Sequence, residues 1–100
     1  MALELHFVCP HGLNHVHKRE EEQFESGNWV VSNNLADEAL GGRIFLHETQ
    51  SSPAWHGGKV VGWRDSAKEG RKVFTYVVDG PFRFVCRENW AQEKSVVRKP

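Results

Sequence analysis

Apolar positions along the chain are spaced mostly for strands. Residues 3–9 set Leu3, Leu5, Phe7 and Cys9 against Glu4, His6 and Val8, the period-two pattern of a half-buried strand. Pro10 and Gly12 break it. Helix formers follow, with Glu20, Glu21, Glu22, Gln23 and Glu25 close together and only Val16 and Phe24 for an apolar stripe. That stretch predicts a surface helix over about residues 15–25, stopped by Gly27, and then a short strand at 29–31. Ser32, Asn33 and Asn34 offer N-caps for a second helix at about 34–40, whose apolar face is Leu35, Ala36, Ala39 and Leu40. Gly41-Gly42 ends it.

Strands are predicted at 43–49, 59–64 and 71–78, the last being the richest in β-branched and aromatic residues. Residues 50–58 read as a polar loop and 65–70 as a turn. Asp79-Gly80 signals a further turn, after which Phe82, Phe84 and Cys86 alternate with Arg83, Val85 and Arg87. Residues 95–100 read as a frayed tail. The sum is a mainly β (α+β) protein of about six strands with two short helices. Its spacing favours a small closed β-barrel over a sandwich, and closure removes exposed sheet edges.

With 100 residues, 39% of them apolar and 26% charged, the chain fits one globular domain over 1–100 and excludes general disorder. A core this thin leaves little room for a deep cavity, so no cofactor is expected. No apolar run approaches the roughly 18 residues needed to span a bilayer, and no basic segment followed by an apolar one opens the chain. Cys9 and Cys86 make no disulfide framework. A cytoplasmic protein with reduced thiols and no membrane partner is the expectation. Thirteen cations balance thirteen anions, but unevenly. Residues 1–48 carry three cations and eight anions, net −5, and residues 49–100 carry net +5. A basic face is therefore available to a polyanion, or to the chain's own acidic half.

Candidate chemistry is sparse. Cys9, His11, His15 and His17 put four zinc-type ligands within nine residues, with His6 just before them. Their spacing matches no standard finger, so no metal is expected. Ser51 and Ser52 lie between His47 and His56 without a nucleophile elbow, and the Gly-Gly pairs lack the Lys-Ser/Thr of a phosphate loop. No catalytic residue is nominated. The aromatic residues are more informative. Trp55 stands in the polar loop, and Trp63 ends a strand before Arg64, with Arg71 and Lys72 across the next turn. Indoles beside cations suit base stacking with phosphate pairing. Asn33 and His47 are placed to read a base edge, whereas Trp29 and Trp90 belong to the core or its rim.

The middle of the chain resembles a known superfamily. A short helix, Gly41-Gly42-Arg43-Ile44-Phe45-Leu46-His47, a polar loop and Gly58-Lys59-Val60-Val61-Gly62-Trp63 resemble the PUA-like superfamily, and within it the ASCH and EVE domains. The likeness covers about residues 29–78. It implies a small closed barrel with helices over one opening, and the binding of RNA or modified bases. The Lys, Thr and Glu arrangement of the ASCH relatives that hydrolyse acylated cytidine is missing, so the resemblance implies binding and not hydrolysis. The expected function is a small module for nucleic acid or for a modified base or nucleotide. The alternatives are a protein–protein adaptor or homodimer anchored by Trp55 and, third, a nucleoside-directed hydrolase.

Overall fold

The computed structural model describes residues 2–9, 15–18, 23–67, 69–87, 89–91 and 94–99. They form β1 (Ala2–Val8), β2 (His15–Lys18), β3 (Gln23–Val30), α1 (Asn33–Ala39), β4 (Arg43–His47), β5 (Ala54–Asp65), β6 (Arg71–Val77), β7 (Trp90–Ala91) and β8 (Lys94–Lys99). The eight strands share one sheet in the order β2-β3-β6-β5-β4-β1-β8-β7. Every neighbouring pair is antiparallel except β1 and β4, which run parallel with Leu5 opposite Ile44 and His6 opposite Phe45. The protein is mainly β. No helix among the described residues is long and apolar enough to cross a membrane.

Alternation on β1 decides which side chains meet. Leu3, Leu5, Phe7 and Cys9 enter the main core with Ile44 and Leu46 of β4, Val60 of β5, and Phe74 and Tyr76 of β6. Trp29 stacks on Phe7 at 4.3 Å between ring centroids. Full burial of side chains such as Leu5, Phe7 and Phe74 contributes about 1.5–3 kcal/mol each. Helix α1 lays Ala36 and Ala39 on this core. Ser32 caps it, its hydroxyl accepting from the Leu35 amide at 3.2 Å. Gly41, at φ +81°, turns the chain out of the helix and donates to the Val60 carbonyl, while the Val60 amide donates to Gly42. Two short bonds thereby seat the start of β4 beside β5.

The opposite face of β1 carries Glu4 and His6, and a second layer covers it. Residues 78–87 and 89 cross this face as an irregular strap. Arg43 pairs with Asp79 at one end of it. The Ala54 amide donates to the Phe84 carbonyl at 2.9 Å, and the Trp90 indole donates to the Cys86 carbonyl at 2.7 Å. Asn89, at φ 57°, turns its amide onto the Val96 carbonyl of β8. Asparagine tolerates that left-handed backbone better than most residues.

Several elements differ from the sequence reading. Of the helix expected at 15–25, the described residues 15–18 and 23–25 are instead β2 and the first part of β3, where Phe24, Glu25 and Ser26 pair with Tyr76, Thr75 and Phe74, and residues 19–22 lie outside the described residues. Pairing with the strongest strand in the chain outweighs any helical preference at residues 24–26. Gly27 ends no helix. It lies inside β3 at a register shift, packed closely on Val73. Strand β5 begins at Ala54, inside the expected loop. The alternation at 82–86 forms no strand and becomes the strap. The expected frayed tail is β8, paired along β1 from Lys94 to Lys99. The described sheet therefore has eight strands with ends at β2 and β7, not six in a closed barrel, and one helix accompanies it.

Glycine positions test this packing. A methyl group at Gly58 would run into the Val77 carbonyl, whereas one at Gly62, on the same strand, meets nothing. Gly58→Ala is expected to cost about 1–3 kcal/mol. Gly62→Ala should be neutral or stabilising by up to about 1 kcal/mol, since alanine is the less flexible residue in the unfolded chain. Urea melts of the two variants check the contrast.

Candidate functional site

A cavity of about 290 Å³ opens between the strap and the β1–β4–β8 face of the sheet. Glu4, His6, Phe45 and Val97 line it from the sheet, and Phe84 and Arg87 from the strap. A second space of about 280 Å³ shares Glu4, Phe45 and Phe84 and extends to Arg43 and Asp79. The volume of the first lies near the lower end of the roughly 300–1,000 Å³ typical of ligand pockets. It suits one flat ring system. Phe45 and Phe84 meet edge to face at 5.9 Å, and Phe84 is half exposed.

Below these walls lies a chain of hydrogen bonds whose protons can be assigned. His47 is fully buried, and its Nδ1 stands 2.9 Å from the Ser52 carbonyl oxygen. A carbonyl only accepts, so Nδ1 carries the hydrogen. Burial holds the His47 pKa below the ordinary histidine value, the Ser52 carbonyl opposing it. The ring is therefore neutral near pH 7, and its Nε2 presents a lone pair. His6 Nδ1 lies 2.8 Å from that atom and donates to it. The other His6 nitrogen faces Glu4 Oε1 at 3.2 Å, a contact that attracts only with a proton between the two atoms. The Glu4–His6 pair thus holds one proton between its two facing atoms. Phe45 stacks on the His6 ring at 4.8 Å, and Trp90 meets both histidines edge-on. Imidazole orientation is locked from both sides.

Of the residues nominated from sequence, His47 belongs to this site as its buried inner member. Asn33 begins α1 and is exposed. Trp55 is half-buried against the main core, its indole donating to the Cys9 carbonyl at 2.6 Å. Trp63, Arg64, Arg71 and Lys72 do meet on the β5–β6 hairpin, but on two faces. The Trp63 indole donates to Asp37 of α1, and the Lys72 ammonium lies 5.4 Å from the Trp63 ring centroid. Lys72 is buried and paired with Asp65 at 2.7 Å. Arg64 points to the other side, 3.5 Å from Glu25. Arg71 lies opposite Val30 of β3. Lys72 braces the hairpin internally, and Arg64 ties it to β3.

Among the cysteine and histidine cluster, Cys9 is in the core, and burial pushes its thiol up to about 11, against a hydrogen bond from Ser26. His15 and His17 lie on β2, which four other strands separate from β1 in the sheet order. His11 lies outside the described residues. Among the described residues no three His, Cys, Asp or Glu side chains are grouped as a metal site. Glu4 and His6 were not nominated from the sequence. Their signal was the polar phase of β1, which reads as a solvent-facing edge until the strap covers it.

Comparison with protein-family models, curated proteins and solved structures gives no match.

The proton assignment has a direct readout. Imidazole ¹⁵N spectra should show His47 as the Nδ1–H tautomer at pH 7, with a titration midpoint below about 6.5. Because its folded pKa is lowered, the stability tied to His47 is complete above about 6.5 and is lost as pH falls toward the folded value. The Cys9 thiol should resist iodoacetamide at pH 8 in the native protein and react once urea unfolds it.

Proposed function

We propose that the protein is a small, non-catalytic binding module for a nucleobase or nucleotide, free or within a nucleic-acid strand, and that the base occupies the cavity between the strap and the β1–β4–β8 face, against the half-exposed ring of Phe84. The observation that carries this reading is the aromatic-walled cavity floored by a polar pair whose proton is fixed. Flat rings stack on aromatic walls with about 1–3 kcal/mol per base. A pre-oriented carboxylate reads a base edge without paying to order itself. Arg87 and Arg43 at the rim supply guanidinium groups suited to phosphate, Arg43 after release from Asp79.

A PUA-like affiliation, with the sheet curving toward a barrel, belongs to the same proposal. Its support is the passage from α1 through Gly41-Gly42 into β4 and β5, the segment on which the resemblance rests. A cytoplasmic setting fits Cys9 and Cys86, both buried. The competing reading is a protein partner or a second copy of the chain docked on the strap, where Phe84 and Val85 are exposed. Salt separates the two, since phosphate binding weakens steeply with ionic strength and an apolar contact does not.

Titration of ¹⁵N-labelled protein with nucleoside monophosphates and short single-stranded RNA and DNA tests the proposal. Shifts are expected at the amides of Glu4, His6, Phe84 and Arg87. Phe84→Ala should weaken binding about 5- to 150-fold, the equivalent of one stacking contact, and leave the remaining spectrum in place. Shifts centred on Trp55, Trp63 and Arg64 would move the site to the hairpin side. No shifts at millimolar ligand would remove the reading.

A further inference from the structure

We infer that the cavity selects a base by a donor edge, and that the preferred base is guanine, whose ring N–H and exocyclic amine stand side by side. This inference rests on the base-binding reading above and adds the chemistry of the edge. His6 Nδ1 donates to His47, and Nε2 shares its proton with Glu4 Oε1. The imidazole therefore keeps no lone pair for a ligand, and its face is covered by Phe45. What remains on the floor is acceptor capacity on the Glu4 carboxylate, whose side chain is about a quarter exposed. A carboxylate holding one donor on Oε1 keeps a further lone pair there and two on Oε2, and two adjacent N–H groups match that pair of oxygens.

Uracil presents the opposite pattern. Its single ring N–H is flanked by two carbonyl oxygens, which would face the carboxylate with lone pairs. Arg87 stands on the strap side of the cavity, where a guanidinium donates to a carbonyl or phosphate oxygen. Guanine satisfies both groups, with donors toward Glu4 and a carbonyl left for Arg87. His47 fixes the polarity of the arrangement, because its Ser52 contact prevents the His6 ring from flipping to offer an acceptor.

Affinities of guanosine, inosine and uridine monophosphates, measured by titration calorimetry at pH 7 on the unmodified protein, test this inference. Their common ribose phosphate keeps the Arg43 contribution equal, and inosine, which keeps the carbonyl for Arg87, differs from guanosine only by the missing amine. Guanosine monophosphate should bind at least about tenfold more tightly than uridine monophosphate, with inosine monophosphate between them. In Glu4→Gln, folded by its ¹H–¹⁵N spectrum, that preference should fall to within about threefold while binding itself persists through Phe84. Equal binding of the three nucleotides would overturn the donor-edge inference and leave the base-binding reading standing. So would a full preference in folded Glu4→Gln. Failure of all three nucleotides to bind would remove the base-binding reading itself.

Discussion

Strand β1 is bonded on both edges and buried on both faces, and most of the molecule is arranged around that double demand. Its backbone groups are used by β4 on one side, in parallel, and by β8 on the other, antiparallel. Its odd-numbered side chains need one apolar layer, which β4, β5, β6 and α1 provide. Its even-numbered side chains, Glu4 and His6, are polar, and covering them requires partners for each nitrogen and oxygen. His47, two residues along β4 from Phe45, supplies the first of those partners, and the Ser52 carbonyl supplies the next. No buried side-chain nitrogen or oxygen among the described residues lacks a hydrogen-bond partner.

The strap follows from the same demand. A polar pair left open to water would need no precise geometry, and one wholly covered by apolar residues would be costly. Residues 78–87 cover Phe45 and His6 but leave the Glu4 side partly open. They are tied down by an ion pair and single hydrogen bonds, without the ladder of a strand. Such a cover is less firmly held than the sheet beneath it, which is where ligand-responsive segments are generally found. Chemistry and local stability therefore coincide on one side of the molecule. The other side, with Trp29, Phe7 and α1, is the mechanical support.

Local pattern alone determined much of this protein: its mainly β character, the phase of β1, α1 with its serine cap and glycine exit, and the strands around residues 43–47, 59–65 and 71–77. In these elements propensity, period and capping agree, and no distant residue is needed to choose among them. Tertiary structure decided the rest. Phe24, Glu25 and Ser26 became strand because β6 offered a pairing edge, and the C-terminal residues became β8 because β1 had an edge to satisfy. Residues 82–86 alternate like a strand but join no ladder and serve as a cover. The site depended on register above all. Glu4, His6 and His47 each sit on the apparently polar phase of a strand, and only the parallel pairing of β1 with β4 brings His6 within 2.8 Å of His47. Trp55 and Trp63 looked exposed because their neighbours in sequence are polar, yet Cys9 and Asp37, distant in sequence, hold their indoles. Composition reports what a residue's sequence neighbours are, and the candidate site is set by which side chains the sheet brings across from other strands.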